Sequence, residues 1–205
     1  MYFDDDIISL TDPVFRPPSE ANSLILQVTN GCSWNKCSFC EMYTAPQKKF
    51  AVKAEDRVLA EISSVASQGR AVRRIFLGDG DAMVLSFRRL ETILLAIRQY
   101  LPDVARVSAY CLPKNLANKT IEQLQRLREL GLSLIYVGAE SGNDQLLDKI
   151  QKGESRQSTV DAVLKAKHAG IKSSVMIING LGGRSLSEIH ALDSAQLVNA
   201  AQPDY

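Results

Sequence analysis

The chain has 205 residues, of which 45% are apolar and 23% are charged, and its formal net charge at neutral pH is +1. This composition is typical of a globular domain and excludes a disordered or fibrous chain. The length suits a single domain with a full hydrophobic core. Because acidic and basic residues nearly balance, the charge neither supports nor excludes binding to nucleic acid.

The N-terminal segment and the cysteines indicate the compartment. The first residues, MYFDDDIISL, are acidic where a secretory signal would be basic, and no apolar run reaches the roughly 18 residues of a membrane span. Three of the four cysteines fall within nine residues, which is too tight for a disulfide framework and typical of metal ligation in a reducing compartment. We therefore predict a cytoplasmic protein that does not enter a membrane.

Residues 1–21 contain three prolines and little periodicity, which predicts an irregular lead-in to the first strand. From residue 22 onward, short apolar runs alternate with amphipathic stretches of helical spacing, a pattern typical of repeated βα units around a parallel sheet. We predict one core domain over residues 22–205, in which each of five strands is followed by a helix. The predicted strands span residues 24–28, 73–77, 106–110, 133–137 and 173–178.

This pattern predicts an α/β fold, and more closely a partial (β/α) barrel with its active site at the C-terminal ends of the strands. The sequence stops at AAQPDY, where a turn would lead into a sixth strand. We therefore expect a barrel that is truncated after the fifth βα unit and incomplete at its C-terminus. The loops that follow the strands are the places to search for functional residues.

The loop after the first strand carries the main chemical signal. It reads TNGCSWNKCSFCEMY and contains the motif Cys32-x4-Cys37-x2-Cys40. Three thiolates can hold a 4Fe-4S cluster and leave one iron open to another ligand. A structural zinc site would need a fourth ligand, and only Cys111 is left, with no histidine near the motif. The alternatives are a zinc-binding module and an iron–sulfur electron-transfer module, although the latter would use four cysteines.

The cysteine loop resembles that of the radical S-adenosylmethionine (SAM) superfamily, and the resemblance extends from about residue 22 to residue 205. The usual spacing is x3 then x2, whereas the x4 then x2 spacing here is that of a branch with a GCSxNKCxFC loop. This branch is similar to the Elongator-type, methylthiotransferase and coproporphyrinogen-oxidase-type enzymes. Phe39 occupies the aromatic position before the third cysteine. The resemblance implies a (β/α)6-type radical SAM barrel with a 4Fe-4S cluster on the three motif cysteines.

The resemblance also implies a reaction and its partners. A donor such as flavodoxin or ferredoxin reduces the cluster, and the cluster cleaves SAM reductively. The resulting 5′-deoxyadenosyl radical abstracts hydrogen from a substrate that the sequence does not identify. No catalytic side chain is assigned beyond the residues that hold the cofactors.

Loops after the four later strands match the superfamily, and three of them resemble its SAM-binding elements. The remaining one, SAYCLPKNL at the third strand, offers candidates for contact with substrate or SAM, namely Ser108, Tyr110 and Asn115. LGDGDAM follows the second strand, VGAESGNDQLLDKIQKG follows the fourth, and MIINGLGGRSLSE follows the fifth. Glycines let the backbone approach a ligand closely, and the acidic and basic groups can pair with the charges of SAM. The residues implied to contact SAM are Phe39, Gly78, Asp79, Gly80, Asp81, Glu140, Ser141, Lys152, Gly180 and Gly182.

Some of these residues have plainer interpretations. LGDGDAM can be an ordinary tight turn, and Lys152 can be a solvated lysine at a helix end. Met176 stands where the coproporphyrinogen-oxidase-type branch has an aspartate for the ribose. His168 and His190 lie on predicted helices away from these loops, and we predict that both are surface or helix-end residues.

Overall fold

The computed structural model describes residues 7–205, and its central feature is a sheet of five parallel strands. The strands of the structure are β1 (Leu24–Gln27), β2 (Thr29–Asn30), β3 (Ala51–Val52), β4 (Arg74–Gly78), β5 (Arg106–Cys111), β6 (Leu132–Glu140) and β7 (Lys172–Ile177). The large sheet has the order β1-β4-β5-β6-β7, so each crossover adds the next strand at the same edge. The short strands β2 and β3 form a separate antiparallel ribbon at the end of β1.

The helices follow the strands as the sequence predicts. They are α1 (Glu55–Ser67), α2 (Phe87–Tyr100), α3 (Pro113–Ala117), α4 (Ile121–Glu129), α5 (Asp144–Lys149), α6 (Arg156–His168) and α7 (Gly183–Ala201). The longer ones pack side by side, α1 on α2, α2 on α4, α4 on α6 and α6 on α7. Asn143 caps α5 by accepting a hydrogen bond from the backbone N of Leu146. Within residues 7–205, no helix is long and apolar enough to cross a membrane.

Alternate residues of the strands divide the sheet into a helix-facing side and an inner side. On β4, Ile75 and Leu77 belong to the main core under the helices, whereas Phe76 points to the inner side. The inner cluster consists of Phe76, Tyr110, Leu134, Tyr136 and Met176. Its rings meet edge to face, with 5.1 Å between the ring centroids of Phe76 and Tyr110. The inner side of the sheet is therefore an aromatic floor.

The predicted α/β class and all five predicted strands are confirmed. Each strand agrees with the prediction to within one residue at its ends, except that β6 continues to Glu140. Within the predicted lead-in, residues 7–21 contain one 3-10 turn, Pro18–Glu20, and Ile8 is buried in the main core. Residues 1–6 of that lead-in lie outside the described residues.

The C-terminal residues return to the outer edge of β7. Val175 N donates to the Tyr205 carbonyl at 2.9 Å, and Tyr205 N donates to the Ser173 carbonyl at 3.1 Å. This pair of hydrogen bonds is the pattern of a parallel ladder. The chain therefore runs beside β7 at the place where the sequence predicts a sixth strand, and the predicted truncation stays a prediction.

Candidate cofactor site

The cysteine loop is the excursion of the chain between β2 and β3. It starts at Gly31, which has φ = 67°, and a Cβ atom there would lie 2.1 Å from the carbonyl oxygen of Lys48. Glycine is therefore required where the two ends of the loop meet. Farther along the loop, the indole Nε1 of Trp34 donates to the carbonyl of Gln151 at 2.8 Å. These contacts fix the loop at the C-terminal edge of the sheet.

One cavity of about 280 Å³ at this edge joins residues that are far apart in the sequence. Predicted site residues in its lining are Cys32, Cys37, Phe39, Cys40, Gly80, Glu140 and Lys152. Much of the remaining wall is apolar or aromatic, and it includes Trp34, Tyr110, Cys111, Tyr136, Met176 and Ile178. The cavity thus lies between the cysteine loop and the aromatic floor, at the strand ends where the sequence predicts the active site.

The donor set of this cavity fits an iron–sulfur cluster. All three motif cysteines are free and half-buried, and burial raises the pKa of the Cys32 and Cys37 thiols because it disfavours the thiolate. Among residues 7–205, no three His, Cys, Asp or Glu side chains are close enough to share a single metal ion. Three thiols in the lining of one cavity match the three protein ligands of a cluster in which each sulfur binds a different iron.

The end of β6 turns a carboxylate toward the cavity. The register of β6 against β7 shifts between Gly138 and Glu140, and Glu140 has φ = 63°. Non-glycine residues rarely adopt this left-handed conformation, and those that do are often found at functional sites. Lys152 Nζ lies 2.7 Å from Glu140 Oε1, and the two side chains are only 6% and 11% exposed. The interpretation of Lys152 as a solvated lysine at a helix end is therefore wrong.

Asp79 connects the end of β4 to the cysteine loop. Its carboxylate forms an ion pair with Lys48 in which both side chains are 0% exposed, and it also accepts a hydrogen bond from Gly31 N at 3.2 Å. Burial raises the pKa of the Asp79 carboxyl, while the Lys48 ammonium opposes the rise. Sequence reasoning missed Lys48, because nothing in its neighbourhood signals a partner that is 31 residues away.

We expect Lys48→Met to destabilise the protein by about 3–5 kcal/mol, because the substitution leaves the buried Asp79 carboxylate without its counter-charge. Urea unfolding of the cluster-free, reduced protein measures the loss. The double variant Lys48→Met with Asp79→Asn should regain most of the stability, and Lys49→Met, at an exposed neighbour, should change little. If Lys48→Met unfolds at the same urea concentration as the wild type, the pair does not hold this loop.

Asp81 makes a second connection to the cysteine loop. It accepts hydrogen bonds from Ser33 Oγ and from Asn115 Nδ2, the latter at 2.5 Å. Burial raises the pKa of Asp81, and both hydrogen bonds oppose the rise. At Gly80, between the two aspartates, an added Cβ would lie 2.5 Å from the ring of Tyr43, so the loop packs tightly there.

Several predicted SAM contacts lie outside the cavity lining in the part of the chain that the structure describes. They are Gly78, Asp79, Asp81, Ser141, Gly180 and Gly182. Gly78 ends β4, and Gly180 and Gly182 lie in the loop between β7 and α7. Ser141 follows β6 directly and is fully buried. The contact of these residues with SAM stays a prediction.

The prediction that His190 is a surface or helix-end residue is wrong. His190 lies inside α7, is 5% exposed and contacts Ser141. Its position could have been found from the sequence, because residues 190, 194, 197 and 201 form the buried stripe of α7 at helical spacing. His168 is exposed at the last residue of α6, as predicted.

The fold and the cavity together define a class of protein, a parallel α/β barrel-type sheet with a three-cysteine loop at the C-terminal ends of its strands. The model of the Radical SAM superfamily matches residues 26–195. The chain belongs to the radical SAM superfamily. Membership assigns it a 4Fe-4S cluster and SAM as cofactors.

Curated relatives share moderate identity with the chain. The heme chaperone HemW of Bacillus subtilis is 25% identical over 142 residues, which cover 68% of this chain and 38% of that protein. HemW of Synechocystis sp. is 29% identical over 154 residues, covering 73% and 36%. A putative methylthiotransferase of Methanocaldococcus jannaschii is 22% identical over 153 residues, covering 73% and 33%. The chain therefore spans less than two fifths of the length of these relatives.

Solved structures support the fold. The cobalamin-dependent SAM radical enzyme OxsB has a TM-score of 0.69 at 16% identity, over 85% of this chain and 26% of that one. Coproporphyrinogen III oxidase HemN of Escherichia coli has a TM-score of 0.66 at 16% identity, over 89% and 42%. The predicted radical SAM barrel fold is confirmed, with five of its strands present in the described residues.

Proposed function

We propose that the chain is the core of a radical SAM enzyme, which cleaves SAM reductively to a 5′-deoxyadenosyl radical that abstracts hydrogen from a substrate. The observation that carries this proposal is the single cavity that joins the three motif thiols, Phe39 and the buried pair of Glu140 and Lys152. When bound, the cluster and SAM supply the electron transfer and the radical chemistry. The chain binds and orients both cofactors and keeps water away from them.

In this proposal Cys32, Cys37 and Cys40 hold the cluster, and their number leaves one iron for SAM. The loop that carries them is held by hydrogen bonds at Gly31 and Trp34. Glu140, at the end of β6, and Lys152 line the same cavity as the thiols. SAM would bind in this cavity, against the residues that the family resemblance implies.

The charges on the cavity wall are complementary to the amino-acid part of SAM, which carries an ammonium and a carboxylate. Lys152 pairs with the carboxylate, and Glu140 accepts from the ammonium or the ribose hydroxyls. Because both groups are almost entirely buried, each interaction is stronger than it would be in water. Phe39 offers an aromatic face to the adenine, which is a common way to bind a base.

In the proposed SAM site, the glycine-containing loops contact SAM through their backbone atoms. Gly180 has φ = 81°, which favours glycine, and an added Cβ there would meet nothing within 4 Å, so ligand atoms can approach its backbone. Gly182 lies beside it at the start of α7. The loop of Gly78 to Asp81 offers carbonyl groups to the ammonium, while its aspartates brace the cysteine loop.

The aromatic floor lies where the substrate would bind. Burial raises the pKa of Tyr110, and it raises the pKa of Tyr136 to about 12, so both phenols are neutral near pH 7. A wall of aromatic and apolar side chains helps to exclude water from the site. We also propose that the protein works in the reducing cytoplasm, where a donor such as flavodoxin or ferredoxin supplies the electron that reduces the cluster.

A heme chaperone is the second candidate function, because the chain is similar to proteins named HemW. The largely apolar cavity, with Met176 in its wall, is compatible with an apolar ligand. The two functions differ in a measurable product. An enzyme forms 5′-deoxyadenosine from SAM, whereas a carrier of this kind binds heme with no need to consume SAM.

Anaerobic reconstitution with iron and sulfide, followed by dithionite and SAM, tests the proposal. We expect about four irons and four labile sulfides per chain and the formation of 5′-deoxyadenosine. Protein that has not been reconstituted is the control and should form none. Stoichiometric zinc without labile sulfide in freshly purified anaerobic protein would contradict the cluster. Stoichiometric heme binding without 5′-deoxyadenosine would favour the chaperone.

A further inference from the structure

His190 does not line the candidate SAM site, but it contacts two loops that do. Its Nδ1 lies 2.8 Å from Ser141 Oγ, directly after β6, and its Nε2 lies 3.1 Å from the carbonyl oxygen of Ile178, directly after β7. Both loops reach the cavity, because Glu140 precedes Ser141 and Ile178 is itself part of the lining. His190 therefore joins two walls of the cavity without lining it.

These two contacts determine the tautomer of His190. A backbone carbonyl can only accept a hydrogen bond, so Nε2 carries a proton and donates it to Ile178. In the neutral ring Nδ1 is then an acceptor, and it accepts from the hydroxyl of Ser141. Ser141 Oγ also accepts from the backbone N of Asn143 at 3.0 Å. The hydroxyl of Ser141 therefore donates its proton in the hydrogen bond to His190.

The surrounding contacts hold α7 tightly against the loop after β6. Gly142 N donates to Ser194 Oγ at 2.9 Å, and Asn143 Nδ2 donates to Asp193 Oδ2 at 2.7 Å. An added Cβ on Gly142 would lie 2.1 Å from the Asp193 carbonyl oxygen, so the helix and the loop are in direct backbone contact. Helix α7 is therefore a rigid support from which His190 reaches the loop after β7.

We propose that His190 is a positioning residue that locks the loop after β6 to the loop after β7 and so sets the geometry of the SAM site. The inference rests on the proposed function, because it concerns the same cavity. It also gives Ser141 a different role from the predicted contact with SAM. Ser141 acts through His190 and supports Glu140, its neighbour in the chain.

The tautomer is tested without any cofactor by NMR of cluster-free protein labelled with ¹⁵N-histidine. The chain has two histidines, and the exposed His168 serves as the internal reference, assigned with His168→Gln. At about pH 8.5 we expect His190 to be a single Nε2–H tautomer, because Nε2 donates to the Ile178 carbonyl. His168 should average over both tautomers. An Nδ1–H or averaged signal from His190 would overturn the proposed hydrogen-bond direction.

Two variants separate the contacts of His190. In His190→Asn the side-chain oxygen can replace Nδ1, so the hydrogen bond to Ser141 is kept and the one to Ile178 is lost. In His190→Gln the side-chain nitrogen can replace Nε2, so the hydrogen bond to Ile178 is kept and the one to Ser141 is lost. Each reconstituted variant should bind SAM about tenfold more weakly, with unchanged iron and sulfide content, because it lacks one of the two hydrogen bonds by which His190 joins the loops. His168→Gln should bind like the wild type.

A double-mutant cycle then decides the role of Ser141. Ser141→Ala removes the hydrogen bond to His190 and also the one from Asn143 N, so alone it should weaken SAM binding at least as much as His190→Gln. Adding His190→Gln to Ser141→Ala should weaken binding almost no further, because the hydrogen bond that it removes is already absent. Full additivity would show that Ser141 and His190 affect SAM binding independently, and it would overturn the proposed role of Ser141. Unchanged affinity in both His190 variants would overturn the positioning role. Wild-type protein that carries a cluster but binds no SAM would instead contradict the proposed function.

Discussion

Replacing Cys37 with Ala will leave the reconstituted protein with iron and labile sulfide near background. The three motif thiols line one cavity, and the lining residue left to replace a lost ligand is Cys111. Two thiolates cannot hold a cubane that normally has three protein ligands. Iron and sulfide analysis, together with the broad visible absorption of the cluster, measures the effect. Cys32→Ala and Cys40→Ala should behave in the same way.

The matched control is Cys111→Ala, which removes a thiol from the same cavity. Cys111 is only 3% exposed, its Sγ–H donates to the carbonyl of Leu112 at 3.3 Å, and burial raises its pKa well above the ordinary value. Cys111 ends β5, outside the cysteine loop, and its thiol is already hydrogen-bonded, so it is not one of the three proposed ligands. Cys111→Ala should therefore keep the iron content of the wild type. If it removed iron as completely as Cys37→Ala, the site would have four cysteine ligands and no open iron.

The sequence predicts the strands, the helices and the cysteine loop because their signals are local. Apolar runs bounded by loops mark the parallel strands, and stripes such as Val58, Ile62 and Val65 mark the helices. A motif of three cysteines within nine residues is likewise readable without a fold. Repetition of the βα unit then places the following loops at one edge of the sheet, where the cavity lies.

The pairing of side chains inside the site could not be predicted, because it depends on backbone details that leave no local pattern. Glu140 and Lys152 are 12 residues apart, and they meet because the bulge of β6 rotates Glu140 toward the cavity. The ion pair of Lys48 and Asp79 joins a loop to a strand end across 31 residues. From the sequence alone a lysine in a loop is expected to be exposed to solvent, because lysine is rarely buried without a partner.

Glu140→Gln and Lys152→Met should each weaken SAM binding by ten- to hundredfold while iron and sulfide stay near the wild-type values. The lost interaction is a charge-assisted hydrogen bond to a ligand in a nearly dry cavity, which is worth about 1.5–3 kcal/mol. Both side chains line the cavity, and neither is near the cysteine motif in the sequence. Spectroscopic or calorimetric titration of the reconstituted variants with SAM measures the change.

A loss of stability must be separated from a loss of binding, because breaking the buried pair leaves one charge unpaired, at a cost of about 3–5 kcal/mol. In the double variant Glu140→Gln with Lys152→Met no charge remains, so its resistance to urea should largely return while its affinity for SAM stays low. Lys149→Met, at an exposed position on α5, is the matched control and should bind like the wild type. If the double variant also regains affinity, the pair supports the fold and does not contact SAM. Unchanged affinity in both single variants would place the SAM site elsewhere, even with the cluster on the three cysteines.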